Sequence, residues 1–180
     1  VTYTIVDTGT NGICELNEDG VTLTYTPNKD FPDTNESNGI DSCSFYVEDI
    51  LYKSNTATID IEVIPVNDNP ILDKIDNVVF VEDTSYLFKT TASDVDKDKL
   101  EFSCDPSAHI SCEVNGNIIT GTNKESNWFG TETITVYVYD PYGGEDSQEV
   151  EVEVTFKNDP PKLSDIKDVS FNEDIELLKR

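Results

Sequence analysis

The run Asp94-Val95-Asp96-Lys97-Asp98 sets acids on alternate positions just past a strand-like segment. At that spacing two or three carboxylates can turn toward one cation. Calcium takes about six to eight oxygens, drawn from carboxylates, amide carbonyls and backbone. Asp140 ends another strand-like run before Pro141-Tyr142-Gly143-Gly144, Glu82-Asp83 falls in a turn, and Asn67-Asp68-Asn69 lies between two strand-rich stretches. Without a counter-ion such acids repel one another by about 1 kcal/mol per pair in water, and more when partly desolvated. Magnesium fits less well, because it keeps its waters and avoids all-protein cages. Zinc is not expected, since the chain has no Cys-x-x-Cys pair and a single His.

These acids need strands to bring them together. Thr133 to Asp140 alternates with Ile134, Val136 and Val138 on one face, and Val150 to Val154 and Ile59 to Val63 alternate likewise. Asp19-Gly20 and Asn115-Gly116 read as hairpin turns. Three pairs of landmarks recur 91 residues apart: Asp49 with Asp140, Asp68 with Asp159, and Glu82 with Glu173. Upstream of Asp41 the register slips, and the loop from Phe31 to Asn38 carries four extra residues. The fold class is therefore all-β: tandem Greek-key sandwiches in a unit of about 91 residues. The division is 1–66 for a first repeat lacking its first strands, 67–157 for a complete second repeat, and 158–180 for the start of a third. Proline-bearing linkers mark the boundaries.

Strand direction then decides which acids meet. In an antiparallel sandwich, the strands ending at Asp94 and at Asp140 both finish at the end nearest Asn67-Asp68-Asn69. Asp94, Asp96 and Asp140 should converge there, with Asp41 facing them from the first repeat. A lower junction would use Glu82, with Asp83, Glu132, Asn158 and Asp159.

The bulk composition agrees with cation sites. Asp and Glu number 37 against 12 Lys and Arg, a formal net charge of −25, which argues against nucleic acid and anionic membranes as partners. Alternating runs holding eight Phe and eight Tyr argue against disorder. No apolar stretch approaches the ~20 residues of a membrane helix. The chain reads as an internal fragment, beginning at Val with no signal peptide.

At these residues the chain resembles the cadherin-like tandem repeats of prokaryotic surface proteins and, more distantly, animal cadherins. Asn67-Asp68-Asn69 resembles the cadherin linker, Asp94-Val95-Asp96 its paired acids, Asp140 with Gly143-Gly144 its later Asp, and Glu82 its base Glu. Asn127-Trp128-Phe129-Gly130-Thr131-Glu132 is typical of the prokaryotic repeats. The resemblance implies immunoglobulin-like or cadherin-like sandwiches with calcium at the junctions, working in adhesion or as a stalk. Pro65 replaces the leading linker Asp and Pro160 stands where the first linker has Asn69. The Asp-Arg-Glu motif is absent, with Asp41 and Glu132 in its place. One or two ions per junction are expected.

The four cysteines allow three connectivities. Cys104 and Cys112 flank a short loop suited to a hairpin bridge, which leaves Cys14 and Cys43 for each other. Disulfides imply an extracellular or cell-surface setting. Asn35-Glu36-Ser37 matches the glycosylation sequon. Trp128-Phe129 reads as packing rather than a sugar platform, and His109 as an exposed residue without a partner.

The expected function is an extracellular stalk, filament or adhesin segment stiffened by calcium. Its partners would be neighbouring repeats, other copies of the chain, or surface proteins and polysaccharide. The alternative is a carbohydrate- or protein-binding module. With no Ser-His-Asp set, phosphate loop or cleft in view, an enzyme is not expected.

Overall fold

A computed structural model of the chain describes residues 1–168, 170 and 173. The described residues form strands and no helix. Much of the segment expected to open a third repeat, including Asn172 and Asp174, lies outside the described residues.

The first repeat holds β1 (Thr2–Asp7), β2 (Gly12–Leu16), β3 (Leu23–Pro27), β4 (Gly39–Glu48) and β5 (Ala57–Val63). They form a β1-β4-β5 sheet and a β2-β3 hairpin. Gly20, at φ 69°, turns that hairpin in a conformation that suits glycine.

The second repeat begins with β6 (Ile71–Leu72), β7 (Val78–Val81), β8 (Ser85–Lys89) and β9 (Ala92–Ser93). It continues with β10 (Glu101–Asp105), β11 (Glu113–Asn115), β12 (Ile118–Thr122), β13 (Gly130–Tyr139) and β14 (Glu145–Thr155). One sheet runs β10-β13-β14-β7 and the facing one β11-β12-β8, with β6-β9 as a short third piece. β13 and β14 pair antiparallel from Gly130↔Val154 to Tyr139↔Glu145, and β7 joins β14 in parallel.

Alternation in these strands builds the core. Ile134, Val136, Val138, Val150 and Val152 are fully buried, as are Ile110 and Ile119 from the facing side. Burying each such side chain contributes about 1.5–3 kcal/mol. In the first repeat no described strand covers the outer edge of β3 or β5. Ile59, 91 residues before Val150, is accordingly 41% exposed.

Both expected disulfides are present, Cys14–Cys43 and Cys104–Cys112, with Cα separations of 6.4 and 6.1 Å. Cys14 and Cys43 are each 1% exposed and tie the hairpin to the β1-β4-β5 sheet.

Candidate metal centre

Strand ends place the acids. β9 ends at Ser93, so Asp94 opens the loop beyond it, and β13 ends one residue before Asp140. Asp94, Asp98 and Asp140 come together, each offering a carboxylate oxygen within 4.8 Å of the others. Lys97 adopts φ 63°, rare for a residue with a side chain, and turns the chain before Asp98. The Asp98 N–H then donates to Asp94 Oδ1 at 3.3 Å. Asp98 belongs to the alternating run, but strand direction singles out only Asp94, Asp96 and Asp140.

Asp140 is 8% exposed. Its Oδ1 accepts the N–H groups of Tyr142 and Gly144, both at 2.8 Å, and its Oδ2 accepts Asn67 Nδ2 at 2.9 Å. Burial pushes this carboxyl up, but the donors from Asn67, Gly144 and Tyr142 outweigh it and hold it below its usual value. Gly144 lies close by. A Cβ there would sit 2.1 Å from Asp140 Oδ2, 2.9 Å from Asn69 Oδ1 and 3.0 Å from Asn67 Nδ2. Asp94 Oδ2 is buried without a hydrogen-bond partner. An orphaned carboxylate oxygen among other oxygens is costly unless a cation meets it. The donor set is all oxygen and fits calcium.

Asp96 was expected in this group. It is 4% exposed and stands beside it, with Oδ2 accepting the Asp68 N–H at 2.7 Å. Asp96 thus grips the linker. The same oxygen accepts Asn35 Nδ2 at 2.9 Å. Asn35 also donates to Asn67 Oδ1 at 2.7 Å and Asp98 Oδ2 at 3.1 Å. A glycan on the sequon nitrogen would leave it one hydrogen for these three oxygens.

Asp41 and Glu132, expected at the junctions, each accept several donors from their own repeat. Asp41 accepts from the N–H groups of Thr10, Asn11 and Ser42, each at 2.9 Å, and from the Tyr25 hydroxyl at 2.8 Å. Chiefly through the Thr10 N–H, its carboxyl falls to about 2. Its oxygens hold the loop between β1 and β2. Glu132 does the equivalent for the loop between β10 and β11. Its Oε2 accepts the His109 N–H at 2.9 Å and its Oε1 meets His109 Nδ1 at 2.5 Å. Burial raises this carboxyl, yet the side chains of His109 and Ser107 together bring it to about 2. His109 is therefore not the partnerless residue expected. Its ring also stacks on Trp128, with centroids 4.7 Å apart. Trp128 packs against the core, and Phe129 meets Phe156 edge-on.

At the other end of the second repeat, Glu82 is 1% exposed. Its Oε1 accepts the Lys157 N–H at 2.6 Å, and its Oε2 is buried without a partner. The outgoing residues Asn158 and Asp159 are exposed, and so is Asp83 in its turn at φ 60°.

Comparison with solved structures places this architecture among cadherin ectodomains. Mouse cadherin-23 domains EC22-24 align at 18% identity with a TM-score of 0.52, covering 87% of this chain and 53% of that one. Protocadherin gamma B2 domains 3-6 align at 14% identity with a TM-score of 0.55, covering 86% and 39%. Human mucin-like protocadherin EC1-2 aligns at 14% identity with a TM-score of 0.52, covering 86% and 84%. The chain thus spans about half or less of the first two structures. At these identities the likeness shows the fold. No curated protein matches the sequence. A family model for the bacterial Ig domain matches residues 1–62 and 67–153. The chain belongs to the bacterial Ig domain family.

Proposed function

We propose that this chain is a segment of an extracellular stalk or adhesin whose junctions are stiffened by calcium. The observation that carries the reading is the Asp94, Asp98 and Asp140 group beside the linker, with Asp94 Oδ2 buried and unpartnered. Asn67 and Asp96 stand next to it and would complete an oxygen shell. When bound, a divalent cation cancels the repulsion among these carboxylates. The protein's own part is to hold them: Gly144 and Tyr142 orient Asp140, and Asp96 fastens the linker backbone. The lower junction would draw on Glu82, whose free oxygen lies beside the exit to Asn158 and Asp159.

Relatives named as cadherins and bacterial Ig domains support an extracellular or surface setting and partners that are neighbouring repeats or other copies. Two disulfides agree with an oxidising compartment. No helix among the described residues is long and apolar enough to cross a membrane. Calcium titration tests the reading. Chelation should lower the melting temperature and loosen the angle between the repeats in small-angle scattering. Unchanged melting and scattering on adding calcium would sink it.

A further inference from the structure

We infer that Asn35, from the inserted loop of the first repeat, is the ligand that the preceding repeat contributes to the junction cation. The inference rests on the calcium reading above. A side-chain amide nitrogen carries two hydrogens. Asn35 Nδ2 nevertheless has three oxygens in range: Asn67 Oδ1, Asp96 Oδ2 and Asp98 Oδ2. Two of the three belong to carboxylates, so the loop delivers its most positive atom to the place where positive charge is wanted.

The two ends of an asparagine amide are nearly equal in size and differ in hydrogen bonding. Turning the amide over puts Oδ1 where Nδ2 stands, with no movement of the chain. That oxygen would repel its neighbours unless a cation lay among them. The separations of 2.7, 2.9 and 3.1 Å suit such a shell. Calcium–oxygen bonds of about 2.3–2.6 Å put adjacent ligand oxygens roughly 3 Å apart.

The loop is anchored for this task. Asp33 pairs with Lys97 across the junction. The Phe31 ring lies against Gly39 at the start of β4, where a Cβ would come within 2.6 Å of it. The other acid expected from this repeat, Asp41, already accepts four protein donors. The Phe31–Asn38 loop thus brings an amide of the first repeat to the site.

The test uses the full chain titrated with calcium, followed by calorimetry and by scattering, which reports on the joint between β5 and β6. Asn35→Ala should weaken binding at this joint by about tenfold, the lower end of what a supporting metal-site residue costs. Asn35→Asp, with an oxygen in the same place, should bind at least as tightly as the parent chain. Ser37→Ala removes the sequon alone and should bind like the parent. Melting in EDTA checks that each variant is folded, and the Asp variant separates a lost ligand from a disturbed loop. Undiminished or tighter binding by Asn35→Ala, or weaker binding by Asn35→Asp than by Asn35→Ala, would overturn the inference and leave the calcium reading standing. A parent chain that binds no calcium would overturn both.

Discussion

Asp96 accepts the backbone N–H of Asp68 at 2.7 Å, so a side chain of the second repeat holds the linker itself. The joint therefore has a protein component besides any ion. Changing Asp94 and Asp96 together to Ala should abolish the calcium-induced rise in melting temperature at this joint. The second repeat should stay folded in EDTA, because neither acid belongs to its apolar core. Circular dichroism and thermal melts check this. Collapse of the sandwich would mean that the acids support the domain rather than the joint.

Two adjacent glycines separate space from backbone strain. A Cβ at Gly144 would meet Asp140 Oδ2, whereas at Gly143 it would meet nothing within 4 Å but the backbone has φ 97°. Gly144→Ala should destabilise by about 1–3 kcal/mol through overpacking and weaken calcium binding. Gly143→Ala should cost about 1–2 kcal/mol from backbone strain alone and leave calcium affinity unchanged. Denaturant unfolding and calorimetry read the two effects separately; equal losses of affinity would refute the distinction.

The disulfides should differ in worth. Cys14–Cys43 closes 29 residues and Cys104–Cys112 closes eight. Loop-closure entropy then gives about 3.6 and about 2.5 kcal/mol respectively. Replacing both cysteines of each pair by Ala, followed by urea unfolding, should show the larger loss for Cys14 and Cys43. These two also supply the buried centre of a repeat that otherwise has few covered apolar side chains.

Acid should loosen the loop anchors. The Glu132 carboxyl lies at about 2 in the fold against an ordinary 4.5, and Asp41 at about 2 against 3.8. Folded values below the unfolded ones mean stability that is complete above about pH 4.5 and lost as pH falls toward 2. Melting temperature should therefore drop across that window. Glu132→Gln should flatten the drop, since one titrating anchor is gone. Parallel pH profiles for parent and variant would assign the acid sensitivity elsewhere.

Much of the fold was legible because its signals are local or periodic. Alternation in Thr133–Asp140 and Val150–Val154 marked β13 and β14, and Asp19-Gly20 and Asn115-Gly116 marked two hairpins. The site was legible in part. Strand direction brought Asp94 and Asp140 to one end, where the structure joins them. Asp98 reads as part of the alternating run but not of the converging set, because its place there depends on the left-handed turn at Lys97. Asp41 and Glu132 looked like free acids at strand ends, but loops distant in sequence hold their oxygens.

By itself the sequence determined the all-β class, the 91-residue period and the acidic joint, since alternation, spacing and charge are properties of the chain as written. The tertiary structure alone decided which oxygens have donors. A carboxylate oxygen without a donor is available to a cation, and one that accepts N–H groups fastens the chain around it. For Asp41 the donors came from Thr10, Asn11, Tyr25 and Ser42, while for Asp94 one oxygen was left with none.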